Sequence, residues 1–135
     1  MHSSRGDTDP RIAETAAGLA RRGLDPASAK AAIAQLIGTA LGGIVRSVAA
    51  QVALRRVLIA GGDTSSYAAR ALGIEAVEVV APLAPGIPLC RAHAPGSSAD
   101  GLEVNFKGGQ VGAEDYFRFV SRSEPWLADR WSNAI

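Results

Sequence analysis

Aromatic residues are scarce in this chain: three Phe, two Tyr and two Trp make up 5% of its 135 residues. A buried core must therefore come from Ala, Val, Leu and Ile. Cysteine is scarcer still. Cys90 stands alone, which excludes an internal disulfide framework and any multi-cysteine metal site. Neither sign of charge prevails, since 14 Lys+Arg against 13 Asp+Glu leave a formal net charge of +1. That balance provides no strong electrostatic footprint for nucleic acid or for an acidic membrane surface. Long apolar runs are missing too: Leu36 to Val45 is closed by Arg46 after about ten residues, half of what a spanning helix needs. The opening MHSSRGDTDP is polar and lacks the apolar segment of a signal peptide. These absences lead us to expect a soluble, cytoplasmic protein with no membrane or nucleic-acid partner.

What is present is the composition of one globular domain, 47% apolar and 20% charged. A compact domain of this length buries roughly 70% of its unfolded surface. Asp9-Pro10 opens a helical pattern, with proline at a position where its missing N–H costs little, and Gly23 closes it. Asp25-Pro26 opens a second, Ala-rich helix in the same way. Its apolar positions, from Ile33 through Ile37, Leu41 and Val45 to Val52, recur at three- and four-residue steps until about Leu54. This long helix is expected to be buried against a sheet, with Gly42-Gly43 allowing a bend or a close approach. Alternatively, its Ala-rich face forms an oligomer contact.

After Arg55-Arg56 the period changes. Val57 to Ala60 is a continuous apolar run suited to a strand covered on both faces, and Asp63 to Gly73 follows as a helix. Ile74 to Val80 alternates as a half-exposed strand, and the proline-bearing APLAPGIPL is expected to be an ordered loop. Leu89–His93 and Leu102–Phe106 make two more short strands. A last helix, from Ala113 to about Arg122, should turn Tyr116, Phe117 and Val120 inward, and the tail with Trp126 and Trp131 should fold back on the body. The order indicates an α/β architecture, a central sheet flanked by helices.

Two segments offer chemistry. In IAGGDTSS, Ile59–Ser66, a buried strand passes through two glycines into a helix whose first turn holds Asp, Thr and two Ser. Open N–H groups at a helix start favour a phosphate, and glycines let the backbone approach it. The same pattern fits an ordinary turn in which Asp63 or Thr64 caps the helix. In NFKGGQVGAEDYF, Asn105–Phe117, a second strand feeds a glycine-rich turn, with Lys107 as a cation at its mouth. Its spacing matches neither a Walker-A loop nor a dinucleotide fingerprint. Alone it equally suits a flexible turn with a solvated lysine. Two such turns in one small domain point to a nucleotide site at the carboxyl ends of the strands.

GGDTSS, then APLAPGIPLCR, then EVNFKGGQVGAEDYF together resemble the C-terminal, nucleotide-binding domain of four-carbon acid sugar kinases. The similarity runs in order from about Arg5 through Phe119. The resemblance implies ATP and Mg²⁺ as cofactors and phosphoryl transfer to the terminal hydroxyl of a tetronate-type sugar acid. It places Gly61, Gly62, Asp63, Thr64 and Gly109 against the nucleotide; to these, phosphate chemistry adds Ser65, Lys107 and Gly112. The family's N-terminal acid-sugar domain has no counterpart in these residues, nor does the strand and serine-bearing turn with which its nucleotide domain opens. The chain is accordingly expected to resemble a fragment or one piece of a split enzyme, inactive alone and oligomeric, with a separate acid-sugar domain as a partner. A noncatalytic nucleotide-binding or assembly module derived from the family is the alternative. No catalytic residue is assigned and no protein metal site is expected. Cys90 and His93 have no second pair to complete a four-ligand site. Glu114 and Asp115 suit a helix start, and Arg5 a solvated loop.

Overall fold

The computed structural model describes residues 2–4, 6, 8–109 and 112–122; Arg5, Trp126 and Trp131 lie outside them. Four helices and four strands follow in the order α1 (Pro10–Ala20), α2 (Pro26–Ala49), β1 (Arg56–Ala60), α3 (Gly62–Ala71), β2 (Ala76–Ala84), β3 (Ile87–His93), β4 (Glu103–Lys107) and α4 (Tyr116–Arg122). The strands form one mixed sheet in the order β1-β4-β3-β2. β1 runs parallel to β4, and the remaining pairings are antiparallel. The architecture is α/β, with the long Ala-rich helix expected from the sequence.

The Asp-Pro openings behave as their chemistry requires. Asp9 accepts from the Arg11 amide, and Asp25 accepts from the amides of Ala27 and Ser28. Each aspartate thus fills donors that the first turn cannot satisfy itself, with proline just inside. The Ser28 hydroxyl and amide hold the Asp25 carboxyl below its ordinary pKa.

Helices pack on both faces of the sheet, although the first half of β2 leaves Val77 and Val79 exposed. On one side Val57, Ile59, Cys90, Ala92 and Val104 pack with Ala68 and Leu72 of α3. On the other Ala81, Leu83, Ile87 and Leu89 pack with Tyr116 and Val120 of α4, and Leu58 joins them from β1. β1 is therefore sandwiched, as its continuous apolar run implies.

Helix α2 departs from its expected burial. It ends at Ala49, well before Leu54, and packs chiefly on α3 rather than on the sheet. Its contact stripe is made of glycine: a Cβ on Gly38 would lie 2.6 Å from the Thr64 carbonyl, and one on Gly42 would lie 2.5 Å from the Ala68 carbonyl. Only Ala29, Gly38 and Gly42 are buried, while Leu36 (72% exposed), Ile44 and Val48 face outward. The small residues bring α3 in closely but form a narrow seam, so Ile33, Ile37, Leu41 and Val45 are only half-buried and the other large apolar side chains of the helix are exposed. Ala and Gly flanking the run Leu36 to Val45 also make α2 long and apolar enough, by length and composition alone, to cross a membrane. Judging only the uninterrupted run misses this.

The expected proline loop is a β-hairpin. β2 continues through Pro82 to Ala84, Ala84 pairs with Ile87, and Pro85-Gly86 make the turn. Proline at the first central position and a positive-φ glycine (+71°) at the second suit a type II turn. Pro82 is tolerated because β2 is an edge strand, and its register shifts on either side of Ala81-Pro82. In α4, Tyr116 and Val120 point inward, one turn apart, as expected. Phe117 lies off that stripe and is 51% exposed.

Candidate functional site: two glycine turns at adjacent strand ends

Because β1 and β4 are parallel neighbours, the turns that follow them leave the sheet side by side. Ala60 stands opposite Lys107 in the register, and the Gly61 amide donates to the Lys107 carbonyl at 2.9 Å. The two segments singled out in the sequence thus meet at one edge of the sheet, at its carboxyl end.

Gly61 is the N-cap of α3. Its φ of +119° is a conformation that side-chain-bearing residues avoid, and no side chain caps the helix. Neither Asp63 nor Thr64 performs that role, contrary to the ordinary-turn alternative. The Gly61 carbonyl accepts from Ser65, so the earlier amides of Gly62, Asp63 and Thr64 precede the first intrahelical bond. Gly62 has ordinary φ, and a Cβ there would meet nothing within 4 Å. Its glycine is required neither by strain nor by packing; the open space is what it preserves.

That space is a cavity of about 350 Å³ lined by Gly62, Ser65, Ser66, Phe106, Lys107 and Gly108, with Ala69 behind them. Helical periodicity sorts the serines. Ser65 shares the core stripe of Ala68 and Leu72, is buried, and donates to the Ile59 carbonyl at 3.3 Å. Ser66 shares the stripe of Gly62 and Ala69 and is exposed toward the cavity. The sequence reading missed Ser66, although this period could have found it. Asp63 lies on the other flank of the helix start, with Tyr67 and Arg70. Thr64 is half-buried, and its Cβ is 3.4 Å from where a Gly61 Cβ would stand.

Lys107 is 8% exposed. Its ammonium donates to the Gly108 carbonyl at 2.9 Å and sits over the rings of Tyr116, at 5.5 Å from the centroid, and Phe117, at 5.9 Å. Among the described residues no carboxylate forms an ion pair with it. An ammonium has three donors, so a nearly buried one with a single hydrogen bond retains capacity for an anion. Gly109 and Gly112 do not line the cavity. Gly109 has open space around it, whereas Gly112, at φ +99°, would place a Cβ 3.0 Å from the Tyr116 ring.

Below the lysine lies a buried polar chain that sequence reasoning also missed. Asn105 is fully buried, donates to the Pro88 carbonyl at 2.8 Å, and accepts from the Tyr116 hydroxyl at 2.8 Å. Burial raises the Tyr116 pKa, against a smaller opposite pull from Asn105.

A family model described as a nucleotide-binding C-terminal domain matches residues 1–117. The chain belongs to this family. It is 39% identical over 125 residues to a 3-oxo-isoapionate kinase of Paraburkholderia graminis, a match that covers 89% of this chain and 25% of that protein. It is 33% identical over 82 residues to a 3-oxo-tetronate kinase of Pseudomonas savastanoi, covering 61% of this chain and 18% of the relative. The chain thus spans a quarter or less of these relatives' length. A crystal structure of a domain of unknown function from Bordetella bronchiseptica, a domain-swapped dimer with bound citrate, superposes with a TM-score of 0.55 at 26% identity. It covers 73% of this chain and 22% of that one. These matches identify the nucleotide-binding C-terminal domain of the four-carbon acid sugar kinases, the family that the three sequence blocks resemble.

The residues present fit a nucleotide's phosphates: an uncapped helix start and an open glycine flank border one cavity that Lys107 also lines, and the lysine's ammonium, seated over Tyr116 and Phe117, has donors to spare. They do not build a cage for a metal. Among the described residues no three His, Cys, Asp or Glu side chains could share an ion. Mg²⁺ at such a site would be held largely through the phosphates, as is usual for this cation.

Proposed function

We propose that this chain is the ATP-binding portion of a four-carbon acid sugar kinase, which transfers the γ-phosphoryl group of ATP to the terminal hydroxyl of a tetronate-type sugar acid. The carrying observation is the meeting of the uncapped α3 start with Lys107 at the ends of adjacent parallel strands. When bound, MgATP supplies the transferable phosphoryl group. The chain's own part is to hold and orient it. The amides of Gly62, Asp63 and Thr64 and the positive end of α3 face the phosphates, the Lys107 ammonium balances their charge, and Ser66 offers a hydroxyl from the cavity wall. Gly61 and Gly62 keep side chains out of the approach. From the second turn, Gly108 borders the cavity, whereas Gly109 and Gly112 lie outside its lining.

Phosphoryl transfer also needs the acceptor held in line, which is worth about 7–11 kcal/mol of barrier. In the two kinase relatives most of the length lies outside the matched region, and we assign acceptor positioning to an acid-sugar domain there. This chain alone accordingly binds nucleotide without phosphorylating a sugar acid. The domain-swapped dimer of the Bordetella protein and the exposed Leu36, Ile44 and Val48 of α2 support a homo-oligomer. The near-neutral charge and the lone, buried Cys90 suit a cytoplasmic setting.

Calorimetric titration with MgATP, followed by an ADP-release assay with tetronate-type acids, tests the proposal. Binding is expected from the chain alone, with turnover only after a separately produced acid-sugar domain is added. Absence of binding at millimolar MgATP would overturn the site. Acid-dependent ADP release from the chain alone would overturn its inactivity, and binding without turnover in the reconstituted pair would favour the noncatalytic module.

A further inference from the structure

Tyr116 stands at the centre of four contacts that no phosphate-binding role explains by itself. Its hydroxyl donates to the fully buried Asn105, and its ring face lies under the Lys107 ammonium. Its side chain also occupies the space that a Cβ on Gly112 would need, and the ring meets Phe117 edge-on at 82°. Asn105 and Lys107 are two residues apart on β4, so both side chains leave the same face of the sheet. The hydroxyl therefore fixes the ring against the strand that carries the lysine. Asn105 is itself held at its other end by the Pro88 carbonyl of β3. The chain Pro88–Asn105–Tyr116 crosses two strands and a helix and ends beneath one cation.

We infer that Tyr116 is a positioning residue: its ring seats the Lys107 ammonium at the mouth of the second glycine turn, and Asn105 anchors the ring. A lysine side chain has four rotatable carbons and would otherwise spread its charge over many positions. An aromatic face within about 6 Å attracts the ammonium without neutralising it, as a carboxylate would. The charge thus stays available to an anion while its position is restricted. This inference rests on the nucleotide reading for its consequence, but the seat itself can be observed without ligand.

The test combines NMR with calorimetry on the whole chain. With the ε-methylene protons of Lys107 assigned through a Lys107→Ala reference, the ring currents should shift them upfield in the wild type. Tyr116→Leu should remove the part of that shift due to the Tyr116 ring, leaving the part due to Phe117. MgATP affinity should fall about tenfold in Tyr116→Leu and about threefold in Tyr116→Phe, which keeps the ring and loses the anchor. In a Lys107→Ala background both losses should vanish, which a merely structural role could not produce. Unshifted Lys107 ε protons in the folded wild type would overturn the seat, as would affinity losses that persist without the lysine. If the wild type binds no MgATP, the nucleotide reading fails, and the ring-current arm still decides the inference. Should Tyr116→Leu not fold, Tyr116→Phe and the wild-type shifts decide it.

Discussion

Helices α2 and α3 lie against each other and begin in opposite ways. At the start of α2, Asp25 presents its carboxylate to the amides of Ala27 and Ser28. At the start of α3, Gly61 presents nothing, and its positive φ turns the chain directly from β1 into the helix. Glycine in place of a good side-chain cap costs a helix only about a few tenths of a kcal/mol, so α3 forgoes little by leaving its start open. Close packing of Gly38 and Gly42 against Thr64, Tyr67 and Ala68 holds α3 in place instead. A helix start filled by its own side chain has little left for a ligand. One left open beside a strand end that carries a lysine keeps its donors for an incoming anion.

The largest expected effect comes from breaking the seam that joins these helices. Gly42→Val would drive a branched side chain into the Ala68 carbonyl and should cost about 3 kcal/mol in urea unfolding. Gly43→Ala, where a Cβ meets nothing within 4 Å, should stay within about 1 kcal/mol of wild type, the helix interior even favouring alanine.

Filling the open start without disturbing the fold is the sharper challenge. Gly62→Val should lower MgATP affinity at least tenfold, about 1.4 kcal/mol, while the thermal midpoint barely moves. Asp25→Ala should do the reverse, lowering the urea midpoint and leaving MgATP affinity unchanged. A smaller effect follows from pH. Hydrogen bonds from Ser28 lower the Asp25 pKa in the folded chain, so this cap contributes fully above the unfolded carboxylate pKa of about 3.9. Its contribution is lost as pH falls through the lower folded value. The stability difference between wild type and Asp25→Asn should therefore shrink below about pH 4 and show no comparable change between pH 6 and 8.

Much of this arrangement was legible in the sequence because it depends on local chemistry. Asp-Pro pairs announced both capped helices, and glycine after a buried strand announced both turns. What stayed hidden depends on partners far along the chain. Nothing near Pro82 or Pro88 reveals that β2 lies at an edge, where proline is tolerated, so the hairpin passed for a loop. Asn105 looked like an ordinary polar residue in a strand until Pro88 and Tyr116 closed around it. The apolar stripe of α2 suggested burial, but the glycines within it determined which face packs. The two candidate turns were legible singly. Their adjacency was not, since it follows from the parallel pairing of β1 with β4.

The contrast between filled and open helix starts is tested most directly by following backbone amides during a titration of the folded chain with MgATP. The account predicts large, saturable shifts at Gly62, Asp63 and Thr64, smaller ones at Gly108 and Gly109, and stationary signals at Ala27 and Ser28. Saturable binding that leaves residues 62–64 unmoved would contradict it.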